Sequence, residues 1–224
     1  MNLIILAQGP TRIQCPFDAE TWGLNNGYRQ VREQKGHLDK LFLAHTQVKV
    51  KNDKGELENR FDWDEMNNLG VEIINTHKVK GLNSKIYPMK RITKKLGCDY
   101  YSDTICYMVA YAIDRMTRIK DGRLLLKEPS HIRIYGADML TEDEYEKERG
   151  GIEYWIGFAR GLGIKVDIAR GSALCRNFNG KPYGTRCKDY STLWNDYING
   201  FLSVNKVGVH TGIIEYKDGE LVFA

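Results

Sequence analysis

The sequence predicts an α/β protein: an open, mostly parallel sheet with helices on both faces and a small C-terminal β-hairpin. Two observations carry the sheet. Short, near-continuous apolar runs recur at Leu3–Leu6, Thr21–Leu24, Leu41–Ala44, Val71–Ile74, Ile132–Tyr135 and Ile164–Ile168. Strands buried on both faces read this way, without the strict alternation of a half-exposed sheet. Helical or loop segments separate the runs, as in a sheet whose crossovers cover its two faces. A third observation carries the hairpin, where Gly212–Tyr216 and Glu220–Phe223 flank an Asp218-Gly219 turn.

Taken in order, the first strand runs straight into Gly9-Pro10. Its start, Met1 to Ala7, is too short and too poor in basic residues for a signal sequence. The segment from 47 to 60 is polar around Asp53-Lys54-Gly55 and reads as an inserted hairpin or mobile loop. A second insertion is expected at 78–96, where Lys85, Lys90, Arg91, Lys94 and Lys95 surround Tyr87-Pro88. A helix is predicted from Ser102, because Ile105, Val109, Ala112, Ile113 and Met116 form one apolar stripe.

Thr141-Glu142-Asp143-Glu144 is a capping box for the next helix, with Thr141 and Glu144 satisfying each other's backbone N–H groups. That helix carries Tyr145, Ile152, Trp155, Ile156, Ala159 and Leu162 and stops at Gly163. Gly150-Gly151 lies inside it, and each mid-helix glycine costs about 1 kcal/mol relative to alanine. Either the helix breaks there or a neighbour packs too close for a Cβ.

A chain of 224 residues is long enough for one α/β domain spanning 1–224, with a C-terminal appendage from about 189. No run of about 18 apolar residues would span a membrane. The five cysteines are scattered, with no Cys-x-x-Cys pair and no zinc-like spacing to a histidine. Reduced thiols and a cytoplasmic location are expected. The net charge of +4 is mild but uneven. Between Lys78 and Lys127 there are twelve Lys/Arg against four Asp/Glu, and between Asp138 and Glu153 seven acids against two bases. Solvated helix faces would explain both. A basic rim for a polyanion beside an acidic lip would explain them too.

The chemistry-bearing residues fall where such sheets bind ligands, beyond the C-terminal ends of strands and at helix starts. Ala7-Gln8-Gly9-Pro10-Thr11 follows the first strand, and Asn25-Asn26 follows the second with amides suited to a base or ribose edge. Ser102-Asp103-Thr104 opens a helix, and Gly136-Ala137-Asp138-Met139 closes the fifth apolar run. His45 follows the third and could enter the same crevice. Each segment also reads as ordinary turn chemistry; the expectation rests on their meeting in one place.

In this order the motifs resemble a Rossmann-like group. It includes bacterial sialyltransferases acting on lipo-oligosaccharide, motility-associated flagellin glycosyltransferases and the archaeal-type hydroxymethyldihydropterin pyrophosphokinase. The resemblance runs from Leu3 to about residue 185 and adds Tyr107-Met108-x-Ala110, Glu148 to Trp155 and Ser172-Ala173-Leu174. This fuller pattern is similar to small proteins of tailed bacteriophages. The resemblance implies a nucleotide-sugar donor gripped by Gln8, Gly9, Thr11, Asn25, Ser102, Asp103 and Thr104, with the amide of Asn26 read beside them from its strand-end position. It implies a histidine base after the Gly-x-Asp strand, yet no His lies between Asp138 and Val209. Asp138 is therefore the expected base, with Glu148 or Glu153 next, since a dry cleft raises a carboxylate's pKa.

Tyr145 and Tyr154, or Arg149 and Arg170, would stabilise the departing phosphate. Arg170-Gly171-Ser172 opens a loop suited to a lid, which brings Ser172 near the ligand. No Asp-x-Asp metal clamp is present among these motifs, though Asp138 alone could hold Mg²⁺ through the donor's phosphates. The expected function is a nucleotide-sugar-dependent transferase, with a base of phage DNA as acceptor and the Lys78–Lys127 segment tracking the DNA backbone. A non-catalytic nucleotide-binding protein and a Mg²⁺-dependent pyrophosphoryl transferase are the alternatives.

Overall fold

All six apolar runs form strands of one sheet, and a seventh strand joins it at the edge. The structure, a computed structural model, describes residues 1–45, 49–51, 54–141, 147–176, 214–217 and 220–223. In chain order, β1 (Asn2–Leu6) leads through a 3-10 turn (Pro10–Gln14) to β2 (Glu20–Leu24), α1 (Gly27–Glu33) and β3 (Lys40–Leu43). The short antiparallel pair β4 (Lys49–Lys51) and β5 (Leu57–Asn59) and helix α2 (Trp63–Asn67) precede β6 (Glu72–Asn75) and β7 (Lys85–Ile86). Then follow α3 (Met89–Leu96), α4 (Thr104–Met116), the antiparallel pair β8 (Thr117–Lys120) and β9 (Arg123–Leu126), β10 (His131–Tyr135), α5 (Arg149–Gly161) and β11 (Lys165–Ile168).

The chain divides into two compact units, Met1–Leu174 and Cys175–Ala224. In the second, β12 (Ile214–Lys217) pairs antiparallel with β13 (Glu220–Phe223); the Asp218-Gly219 turn lies outside the described residues. In the first, the strand order is β11-β10-β1-β2-β3-β6-β7 and every neighbouring pair is parallel. The chain winds outward from β1 to β7, then crosses back to place β10 on the other side of β1. The winding reverses between β1 and β10, and open sheets of this kind bind ligands beyond the strand ends near such a switch.

Alternation along β1 shows the two layers. Leu3 and Ile5 join one apolar cluster with residues of α3, α4 and α5, whereas Ile4 and Leu6 join another with Cys15 and Val31. The predicted stripe of α4 is wholly buried in the first cluster. The helix starts at Thr104, two residues after the predicted start, and its cap is Asp103. The Asp103 carboxylate accepts the Cys106 N–H at 2.9 Å, the Ncap-to-N3 bond that satisfies an orphan donor of the first turn.

Gly150 and Gly151 lie in the first turn of α5, which begins at Arg149. A Cβ at Gly151 would collide with the Ser102 hydroxyl and come within 3.1 Å of Cys106 Sγ, so close packing on α4 excludes any side chain there. Most of the expected capping box, with Tyr145, lies outside the described residues, and the described helix begins at Arg149. The segment 78–96, expected as an insertion, belongs to the fold: it supplies β7 and α3, and Tyr87, Ile92 and Leu96 are buried in the main cluster. Arg91 and Lys95 pair with Asp114 of α4, a carboxylate 4% exposed. Among the described residues no helix is long and apolar enough to cross a membrane.

Candidate ligand cavity

Because the strands are parallel, the loops after β1, β2, β3 and β10 all emerge at one edge of the sheet. There they enclose a cavity of about 440 Å³, within the ordinary size range of small-molecule sites. Gln8 and Gly9 come from the first loop, Asn25 from the second, Ala44 and His45 from the third, and Gly136 and Met139 from the fourth. Ser102, Asp103 and Thr104 at the start of α4 form the wall opposite, with Tyr101, Tyr107 and Glu148. The segments singled out in the sequence do converge, but the residues within each take different roles.

The β1 and β10 loops contribute Gln8, Gly9, Gly136 and Met139 to the lining and are tied to each other by hydrogen bonds. Asp138 is 3% exposed; its carboxylate accepts the Thr11 N–H at 2.8 Å and a short hydrogen bond from the Thr11 hydroxyl. The same hydroxyl oxygen accepts the Gly136 N–H at 2.9 Å, and the Gly9 N–H donates to the Gly136 carbonyl at 2.7 Å. A Cβ at Gly9 would lie 2.6 Å from that carbonyl oxygen and against Asp138. Gly136 has φ +72°, and a Cβ on it would overlap the Ala7 carbonyl. Both glycines are thus required by the approach of two loops. Asp138, expected as the general base, is a buried brace, each of its carboxylate oxygens accepting a hydrogen bond from Thr11.

The β2 and β3 side is open. Asn25 sits in the left-handed region at φ +51°, a conformation asparagine tolerates, and its N–H donates to the Phe42 carbonyl at 3.0 Å. Its side-chain Oδ1 is buried without a hydrogen-bond partner, an acceptor that a ligand donor would satisfy. Asn26 stands behind, at the cap of α1, with its amide 3.4 Å from the Arg60 carbonyl. Burial holds the His45 imidazole below its ordinary pKa, and the nearby Arg60 charge adds to the effect. Near neutrality His45 is therefore an uncharged ring with a free-base nitrogen.

On the helical wall, the Ser102 hydroxyl donates to the Glu148 carbonyl at 2.8 Å, fixing the entry of α5 against the start of α4. Asp103 both caps α4 and lines the cavity, so the positive end of that helix is already met by a carboxylate. Tyr101 and Tyr107 stack with ring centroids 4.4 Å apart and planes 2° from parallel. Burial pushes both phenols above their ordinary pKa, and the Cys106 thiol beneath is pushed up to about 12, mainly by burial.

The remaining expected site residues lie elsewhere. Arg149 and Glu153 pair with each other at 2.7 Å along α5. Ser172 is buried, its hydroxyl donating to the Ala137 carbonyl at 2.6 Å, and Arg170 is exposed with its carbonyl accepting Gln14. Tyr101 and Ala44 were missed; an aromatic before a helix cap was the only signal of the former. The described lining carries two carboxylates, one neutral imidazole and no Lys or Arg. Among the described residues no three His, Cys, Asp or Glu groups converge as metal ligands. No protein-family model, curated protein or solved structure matches the chain.

Proposed function

We propose that the chain is a Rossmann-like transferase acting on a nucleotide-activated donor, in the first place a nucleotide sugar, with the nucleoside held in this cavity. The supporting observation is the convergence of four strand-end loops and the start of α4 at the point where the sheet reverses its winding. The unpartnered Asn25 Oδ1 suits an exocyclic amine or a ribose hydroxyl, and Tyr101 and Tyr107 add aromatic surface to the lining.

Glycosyl transfer needs a base for the acceptor hydroxyl. Glu148 and His45 border the cavity, and we assign the role to Glu148, with the uncharged His45 positioning the acceptor. Asp103 and Glu148 are the two carboxylates of the described lining, too few to hold Mg²⁺ on their own, and Glu148 is already assigned as the base. A pyrophosphoryl transfer that depends on clustered carboxylates is less well supported, because the described lining offers only these two. For a DNA acceptor, Arg118, Lys120 and Arg123 on the exposed β8–β9 arm are among the bases that make no ion pair with the described residues, while Lys85, Arg91, Lys95 and Arg115 are spent on internal ion pairs.

A specific observation favours a second reading, binding without turnover: the carboxylate best placed by sequence, Asp138, is locked away from the cavity. A panel of nucleotide sugars assayed for transfer and hydrolysis separates the two. Turnover that falls by about 10²-fold or more in Glu148→Gln, with binding retained, supports the transferase. Tight binding with no turnover in wild type selects the binding protein.

A further inference from the structure

The cavity presents a charge problem for the ligand just proposed. A nucleotide-activated donor carries a phosphate or diphosphate, yet the described lining holds two carboxylates, a neutral imidazole and no cation. The start of α4, where an anion would otherwise be welcome, is occupied by the Asp103 carboxylate. A phosphate placed there would lie beside the Asp103 carboxylate, in a recess where water screens like charges less than in bulk solvent.

The cations lie next door. A second cavity of about 540 Å³ is lined by Met89, Lys90, Thr93, Lys94, Asp99, Tyr101 and Tyr107. Tyr101 and Tyr107 line both cavities, so the stacked pair is a shared wall. Lys90 and Lys94 stand one helical turn apart on α3 and are exposed. Neither has an ion-pair or hydrogen-bond partner among the described residues. Their neighbours on the helix, Arg91 and Lys95, are held by Asp114. The helix therefore divides its bases into a pair that fixes α3 to α4 and a pair left free over this recess. Asp99, at its rim, leaves the cavity with one net positive charge.

We propose that this second cavity is the phosphate subsite of the donor. The nucleoside lies in the strand-end cavity, and its diphosphate passes the edge of the Tyr101–Tyr107 stack to meet Lys90 and Lys94. This rests on the nucleotide reading above and deepens it, because it places the leaving group on α3 rather than on the α4 terminus. It also accounts for Asp103: a carboxylate at the helix start turns phosphate away from the nucleoside cavity and toward the lysines.

The test is calorimetric titration of wild type and the Lys90→Gln/Lys94→Gln double variant with inorganic pyrophosphate, with uridine, cytidine, adenosine and guanosine, and with their 5′-diphosphates. Both lysines are exposed, and an unchanged thermal midpoint verifies the fold. The expected result is pyrophosphate affinity reduced at least about tenfold in the double variant, since each lysine loses a charge-assisted contact. The preference for a diphosphate over its nucleoside should collapse, while nucleoside affinity stays unchanged. Pyrophosphate that fails to bind wild type, or binds both proteins equally, overturns the subsite. A thymidine decanucleotide that loses affinity in the double variant while pyrophosphate does not would give the lysines to a nucleic-acid strand and likewise overturn it. Lysine-dependent pyrophosphate binding with no nucleoside bound by either protein would keep the anion subsite and refute the nucleotide reading alone.

Discussion

The loops after β1 and β10 and those after β2 and β3 occupy equivalent places, at the C-terminal ends of parallel strands in one sheet. They end in similar small and polar residues, yet one pair is closed and the other open. Between β1 and β10, Thr11, Asp138 and the backbones of Gly9 and Gly136 satisfy one another. Beyond β2 and β3, Asn25 keeps a buried acceptor without a partner and His45 stays uncharged on the cavity wall. A polar residue at a strand end is thus not in itself a ligand group. What decides is whether a complementary group on the adjacent loop has already taken its hydrogen bonds.

The sharpest way to break this comparison is to damage the closed pair. Gly136→Ala places a Cβ against the Ala7 carbonyl at a φ that disfavours any side chain, and should cost about 3 kcal/mol or more. Asp138→Ala leaves the buried Thr11 N–H and hydroxyl without their acceptor and should cost about 2–3 kcal/mol. Urea unfolding measures both. If Asp138 were the catalytic base, its removal would abolish turnover at nearly unchanged stability, the reverse of this expectation.

Changes on the open side should be milder for stability and severe for binding. Asn25→Gly keeps the left-handed backbone and removes an amide oxygen that bonds to nothing in the protein, so stability should move by less than about 0.5 kcal/mol. Nucleoside affinity should fall about tenfold, read by calorimetry. A loss of stability without a loss of affinity would show that Asn25 is merely a turn residue.

The smallest expected effect is on pH dependence. The His45 pKa is lowered in the folded chain, so as pH falls the unfolded state takes up this proton first. Stability associated with the neutral ring is present above the unfolded value of about 6.5 and is lost as pH drops below it toward the folded value. His45→Gln should flatten that part of the stability profile, and an unaltered slope would contradict burial of the ring.

The strands were legible because a parallel sheet covered on both faces demands unbroken apolar runs, and all six runs lie in it. β7 and α3 were not: β7 is a two-residue exposed edge strand, and in α3 four bases mask Ile92 and Leu96. The convergence of Gln8, Asn25, Ser102, Asp103 and Thr104 followed from strand-end topology. The role of Asp138 did not, because its partner Thr11 lies 127 residues away and a Gly-x-Asp reads the same whether it faces a ligand or a hydroxyl. Glu148 was read only as an alternative base to Asp138, and its place on the wall is set by how α5 packs on Ser102.

The account stands on the strand-end cavity being a nucleoside site. Ala44→Trp fills that space from the β3 loop while leaving Glu148, Asn25 and both lysines untouched. Titrated against the nucleoside panel, it should lose affinity by about 10²-fold at an unchanged thermal midpoint. Wild-type affinity in this variant would contradict the assignment.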